Sequence, residues 1–169
     1  MAVTTQRFTL DDYLTYEDGT DTRYELVNGA LVAMARPKGR HGAIAEFLND
    51  RFRDEIKRRG HEWTAKQMAV AIQSPRGSRW DTARIPDVMV LSRAQWRTLR
   101  DREAVIRLND PPPFLVVEVV SDSTITTDYR TKRVEYNVLD IPEYWVVEPI
   151  EHGITVMQPV EDLYEARPF

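Results

Sequence analysis

Phe114-Leu-Val-Val-Glu-Val-Val120 is an apolar run of strand length that carries a single carboxylate, Glu118, in its interior. A run this uniformly apolar reads as a strand buried on both faces, which places it at the centre of a sheet covered by helices. An unpaired carboxylate in that setting costs about several kcal/mol, so Glu118 requires a cation, a metal ion or hydrogen-bond donors. A second acid, Asp87, opens an earlier run of the same kind, Ile85-Pro-Asp-Val-Met-Val-Leu91. Two acids on neighbouring strands point to a metal site.

The segments around these runs read as follows. Thr9-Leu-Asp-Asp12 has the form of a capping box with Asp in place of Glu, and opens a short helix to about Tyr16. Tyr24–Met34 reads as a hairpin turned by Asn28-Gly29, whose residues accept the positive φ of a type I′ turn. A loop rich in Pro, Gly and basic residues follows. From His41 to Arg59, Ile44, Phe47, Leu48, Phe52 and Ile56 recur at helical spacing, cations fill the last turn, and Gly60 suits a left-handed stop. Glu62–Ile72 reads as one strand, and Ser74-Pro-Arg-Gly as a turn. Ser92 starts a short helix to Arg100, and Asp110-Pro-Pro-Pro113 is a stiff connector into the Glu118 strand. After a polar loop from Ser121 to Thr127, a helix spans about Asp128–Leu139, and Ile141–Pro149 and Ile154–Gln158 close the sheet as strands. The order predicts an α/β (α+β) fold with a mixed central β-sheet flanked by helices.

The chain has 169 residues, 42% hydrophobic and 30% charged, which suits one domain spanning 1–169, with no repeat or linker to divide it. It contains no cysteine, which excludes disulfides, thiolate zinc sites and a cysteine nucleophile, and leaves oxygen or imidazole as metal ligands. No run approaches the ~20 apolar residues of a membrane span, and the first residues lack a signal-peptide core, so the expectation is a cytoplasmic protein without a membrane. A net charge of −4 argues against nonspecific coating of nucleic acid. Basic clusters at Arg51–Arg59, Arg76–Arg79, Arg93–Arg102 and Arg130–Arg133 are, taken singly, most simply solvated faces.

Pro86-Asp87, Glu118-Val-Val120, Asp128-x-x-x-Lys132-x-x-x-Tyr136 and Pro142-Glu-Tyr-Trp145, in this order, resemble the PD-(D/E)XK nuclease superfamily. With Arg23-Tyr-Glu-Leu-Val-Asn-Gly-Ala-Leu-Val, Glu118-Val-Val-Ser-Asp-Ser-Thr124 and Glu143-Tyr-Trp-Val-Val, nearly the whole chain is similar to the Uma-type restriction endonuclease family within it, a former domain-of-unknown-function family. The resemblance implies a restriction-endonuclease-like core and metal-dependent hydrolysis of phosphodiester bonds in nucleic acid, DNA first. It implies Asp87 and Glu118 as carboxylate ligands of Mg²⁺ or Mn²⁺, with the carbonyl of Val119 as a further oxygen and Glu25 at the same site, directly or through water. Such a metal would neutralise the pentacoordinate anion and generate hydroxide near neutral pH. The pattern departs from the superfamily at Val120, which stands where Glu-x-Lys has its lysine. The resemblance implies that Lys132, from the following helix, substitutes for it, with Tyr129 and Tyr136 at helical spacings on its face. By analogy with nucleases that work in pairs, it also implies a homodimer with the Tyr144-Trp145 strand near an interface.

Each residue also has a plainer reading. Asp87 after Pro suits a turn, Glu118 an ion pair with Lys132 or an arginine, Glu25 an outward strand position, and Lys132 a solvated helix face. His41 reads as a capping or surface histidine. The four tryptophans read as core or interface residues, since no basic stretch interleaves them. Three functions fit the residues: an active metal-dependent endonuclease, an inactive nuclease-fold module for nucleic-acid binding or assembly, and a hydrolase of smaller phosphate esters. A narrow pocket favours the last and an open basic cleft the first.

Overall fold

A computed structural model describes residues 6–35, 38–76, 79–121 and 124–169. Arg36 and Pro37 of the basic loop, Gly77 and Ser78 of the Arg76–Arg79 cluster, and Asp122 and Ser123 after the Glu118 strand lie outside the described residues.

The first helix, α1 (Leu10–Leu14), is started by the reciprocal Thr9–Asp12 capping box expected from the sequence. β1 (Tyr24–Val27) and β2 (Ala30–Ala33) form the hairpin, with φ of 51° at Asn28 and 78° at Gly29, as a type I′ turn requires. The amphipathic helix α2 (Gly39–Arg59) ends at Gly60, whose φ of 69° reverses the chain at low cost for a residue without Cβ.

The expected strand 62–72 is two strands, β3 (Trp63–Gln67) and β4 (Ala71–Gln73). Met68 adopts a φ of 46° and its N–H bonds to the Asp87 carbonyl, so the chain leaves one sheet there and enters another. Two short strands follow no pattern long enough to read from sequence: β5 (Ala83–Arg84) and, after β6 (Val88–Ser92) and α3 (Arg93–Leu99), β7 (Val105–Ile106). β8 (Leu115–Val119) carries Glu118. The helix expected at 128–139 begins as a π-helical turn, Thr127–Lys132, and continues as α4 (Arg133–Val138). β9 (Tyr144–Glu148), β10 (Gly153–Val160) and β11 (Leu163–Pro168) complete the chain.

The strands form two mixed sheets flanked by helices, ordered β2-β1-β5-β4-β7 and β11-β10-β9-β8-β6-β3. β8 is internal to the larger sheet, parallel to β9 and antiparallel to β6, and all five of its residues are buried. Leu115, Val117 and Val119 face α2 with Ala45, Leu48 and Ile56. Val116 and Val120 face the opposite core, among Val70 and Ile72 of the smaller sheet's side, Leu99 of α3 and Tyr136 of α4. Glu118 shares this second face by strand alternation, and that places it under α4. A third core joins α1 to the smaller sheet through Leu10, Leu26, Ala71, Ala83 and Val105.

Of the aromatic pair Tyr144-Trp145, the first residue is interior and the second partly buried. Tyr144 is fully buried on β9 between β8 and β10, and Trp145 packs edge-on against Phe52 of α2 at 5.3 Å. Among the described residues, no helix is long and apolar enough to cross a membrane.

Candidate active site

The register of β6 on β8 pairs Val88 with Val117, and one further step sets Asp87 opposite Glu118. Asp87 is fixed there by the backbone N–H of Val119, which donates to Oδ2 at 2.7 Å. The two acids of the opening argument therefore meet at the end of the central strands, where β6 starts and β8 stops.

Lys132 reaches the same place from the π-helical turn. Its Nζ lies 2.9 Å from Glu118 Oε2 and 3.0 Å from Asp128 Oδ1. A π turn widens the helix and is frequent at functional sites; here it turns both Asp128 and Lys132 inward, and Tyr144 holds it by donating its hydroxyl to the Asp128 carbonyl at 2.9 Å. Tyr136, one turn on, donates to Glu118 Oε1 at 2.8 Å. Tyr129 points elsewhere, its hydroxyl 3.0 Å from Thr155 Oγ1 on β10. Asp87, Glu118, Asp128 and Lys132 are 7%, 4%, 1% and 7% exposed.

His41, in the first turn of α2, brings Nε2 to 3.2 Å from Asp87 Oδ2, and its Nδ1 is buried without a hydrogen-bond partner among the described residues. The bond to Asp87 raises the histidine's pKa; burial opposes this, while the charge of Asp87 and the Val119 carbonyl support it. Glu25 lines the same cleft, but both its oxygens are engaged, Oε2 by Arg84 Nη1 at 3.1 Å and Oε1 by the Ile85 N–H at 3.0 Å. Arg84 in turn bonds Glu135 of α4 with two nitrogens, at 2.8 and 3.1 Å. Arg84 is itself buried: burial works against its charge, and Glu135 and Glu25 more than restore it, so its pKa rises.

The electrostatics of the cleft are set by an excess of buried acid. Burial pushes the Glu118 pKa well up; Lys132 pulls it down, but Asp128, Asp87 and Glu25 add to the rise. Burial would strip Lys132 of its proton, yet Glu118, Glu25 and Asp128 outweigh it and hold the ammonium charged. The two directions agree once Asp128 is counted, because it supplies a second anion for Lys132 while Glu118 resists ionising among like charges. A site of this kind is relieved by an added cation.

Asp87, Glu118 and Val119 line a cleft of about 760 Å³, together with Glu25, His41, Asp128 and Lys132. Among the described residues, no three Asp, Glu or His side chains converge closely enough to hold one ion by themselves. The sequence-predicted residues thus share one cleft, with Glu25 committed to Arg84. Asp128 and His41 join them, and the Arg84–Glu135 pair backs Glu25 without lining the cleft. Asp128 opens the Asp128-x-x-x-Lys132-x-x-x-Tyr136 motif, and its i, i+4 spacing to Lys132 is the signal that could have given it a role; nothing near Arg84 announces a buried arginine.

Residues 10–169 match the Uma2 family, described as "Putative restriction endonuclease". Among solved structures, a crystal structure of a "putative nuclease belonging to DUF820" from Anabaena variabilis is similar to this chain with a TM-score of 0.73. The likeness covers 96% of this chain and 84% of that one at 18% identity, and at that identity it is a likeness of fold. No curated protein matches the chain.

Proposed function

The chain belongs to the Uma2 family of putative restriction endonucleases, and from that membership and the cleft we propose a divalent-metal-dependent nuclease whose site is formed by Asp87, Glu118 and Lys132. The observation that carries the reading is the meeting of Asp87 and Glu118 at one strand end with Lys132 on Glu118 at 2.9 Å.

The donor set fits Mg²⁺ or Mn²⁺. These are hard cations that take carboxylate and carbonyl oxygens, and Mg²⁺ is usually bound through one or two carboxylates with waters and substrate phosphate completing the shell. Asp87, Glu118 and the Val119 carbonyl would hold the ion. Among the described residues, both contacts of Asp87 fall on Oδ2, which leaves Oδ1 for it. When bound, a divalent ion supplies charge neutralisation for the phosphorane and a more acidic water.

The chain's own residues do the rest. Lys132, kept protonated by Glu118 and Asp128, places a positive charge where the phosphorane's negative charge develops. Val120 stands at the usual lysine position, and its buried side chain packs in the core, so the displaced lysine serves from the opposite wall of the cleft. Tyr136 fixes the Glu118 carboxyl by its hydrogen bond, and His41 orients Asp87. Glu25, tied to Arg84, positions the start of β6 through the Ile85 N–H.

Lys132→Met is expected to slow cleavage of nucleic acid about 10²-fold in saturating Mn²⁺, the usual effect of removing one charge-stabilising group. Circular dichroism on the same sample must show the folded protein. Cleavage at the wild-type rate removes Lys132 from the site. An inactive binding module predicts instead no metal-dependent turnover in the wild type.

A further inference from the structure

We propose that the cleft accepts an unpaired nucleic-acid strand in preference to a duplex, an inference that rests on the nuclease reading above. The acids that a scissile phosphate must reach lie at the floor of a recess of about 760 Å³, and each of Asp87, Glu118 and Asp128 is more than nine-tenths buried. That volume falls within the range of about 300–1,000 Å³ in which a pocket engulfs a small ligand. A duplex is a stiff rod with a persistence length of about 50 nm, and kinking it so that one phosphodiester enters such a recess costs of order several kcal/mol. A single strand turns freely at each nucleotide.

The walls agree with the depth. Val32 and Ile150 line the cleft and are 46% and 66% exposed, beside Met34 and Pro149. Unpaired bases present apolar faces that such side chains can cover, whereas a duplex hides those faces in its stack and presents phosphates. Among the described residues, the cleft is poor in the cations a duplex requires. Its described lining carries Lys38, Arg40 and Lys132 against Glu25, Asp87, Glu118 and Asp128, while duplex binding typically neutralises about 6–10 phosphates.

A second concavity continues from the first. Arg23 donates to the Met68 carbonyl at 2.6 Å, Met68 lines the cleft, and Arg23 lines a neighbouring hollow of about 420 Å³; Ile85 borders both. That hollow is walled by Tyr13, Tyr16 and Tyr24, and Tyr16 is 38% exposed. Tyr16 stands edge-on to Phe8 and Tyr24 at 5.4 and 5.6 Å, which holds its ring in place. A cation followed by fixed aromatic rings is the arrangement that binds single strands without regard to sequence, the cation meeting the backbone and the rings stacking the bases. A strand leaving the floor of the cleft meets Arg23 and then Tyr16.

The test uses labelled oligonucleotides of one sequence as single-stranded DNA, single-stranded RNA and DNA duplex. Each is cut by the wild-type protein in Mn²⁺ and bound by Asp87→Asn, with anisotropy as the readout. Single strands are expected to be cut and bound at least about tenfold better than the duplex. Tyr16→Ala is expected to weaken single-strand binding about fivefold or more, the lower bound for one base–aromatic stack, and to leave duplex binding unchanged. Ile150→Asp should likewise weaken the single strand alone; Ile150 is 66% exposed, and melting curves on both variants check that packing around Tyr16 is kept. Either single strand preferred to the duplex supports the inference, and a preference between the two strands identifies the sugar. A duplex cut as fast as its single strand overturns it while the nuclease reading stands. Wild-type protein that cuts none of the three overturns both.

Discussion

Asp87→Asn is expected to reduce metal-dependent cleavage of nucleic acid by at least about 10³-fold, or ~4 kcal/mol of transition-state stabilisation. The substitution is nearly isosteric, and the amide oxygen can still accept from the Val119 N–H, so the strand end keeps its shape. What disappears is the charge with which Asp87 would hold a divalent ion. Glu118→Gln should cost as much activity, but it also confronts Lys132 and the Tyr136 hydroxyl with a group that accepts on one side only, and the melting temperature falls as well. Comparing the two separates chemistry from folding. Rates are measured on oligonucleotides in Mg²⁺ and in Mn²⁺, with melting curves on the same samples. An Asp87→Asn protein that melts like the wild type and cuts within about tenfold of it would mean the acid is structural.

The largest effect on stability is expected at Arg84. Its guanidinium is the shared cation of Glu25 and Glu135, and all three are largely buried where β5, β1 and α4 meet. Arg84→Met keeps the volume and leaves two carboxylates without their cation, which typically destabilises by about 3–5 kcal/mol. For a chain of this size that corresponds to a fall in melting temperature of roughly 6–20 °C. Glu135→Gln in the Arg84→Met background should recover part of the loss, because one of the stranded charges is then gone. A single variant that melts within about 2 °C of the wild type would show that water or rearrangement reaches the pair.

The central strand, the capping box, the Asn28-Gly29 turn and the long helix were all legible in sequence because each rests on a local cause: an apolar run, a side chain that bonds its own backbone, a residue that tolerates positive φ. The break at Met68 was not. A methionine with left-handed φ is imposed by the packing of two sheets, and nothing in Gln67-Met68-Ala69 forecasts it. β5 and β7, two residues each, are likewise strands only because neighbours hold them.

The site was legible in the same proportion. Asp87 and Glu118 are acids in apolar runs and stand out by their cost. Lys132 comes from the family resemblance, since a lysine among other charged helix residues says nothing alone; the structure puts it on Glu118. His41 and Asp128 depend on partners distant in sequence or on the π-helical turn, and the bland reading of His41 gives way to a contact with Asp87 at 3.2 Å.

The account turns on a cation that Asp87 and Glu118 share. Crystals soaked in Mn²⁺ and measured for anomalous scattering test this without any assay of activity. An anomalous peak is expected in the cleft at coordination distance, about 2.1 Å, from Asp87 Oδ1 and a Glu118 oxygen. A cleft without a peak at saturating Mn²⁺, with both carboxylates still turned to Val119, His41, Lys132 and Tyr136, would contradict it.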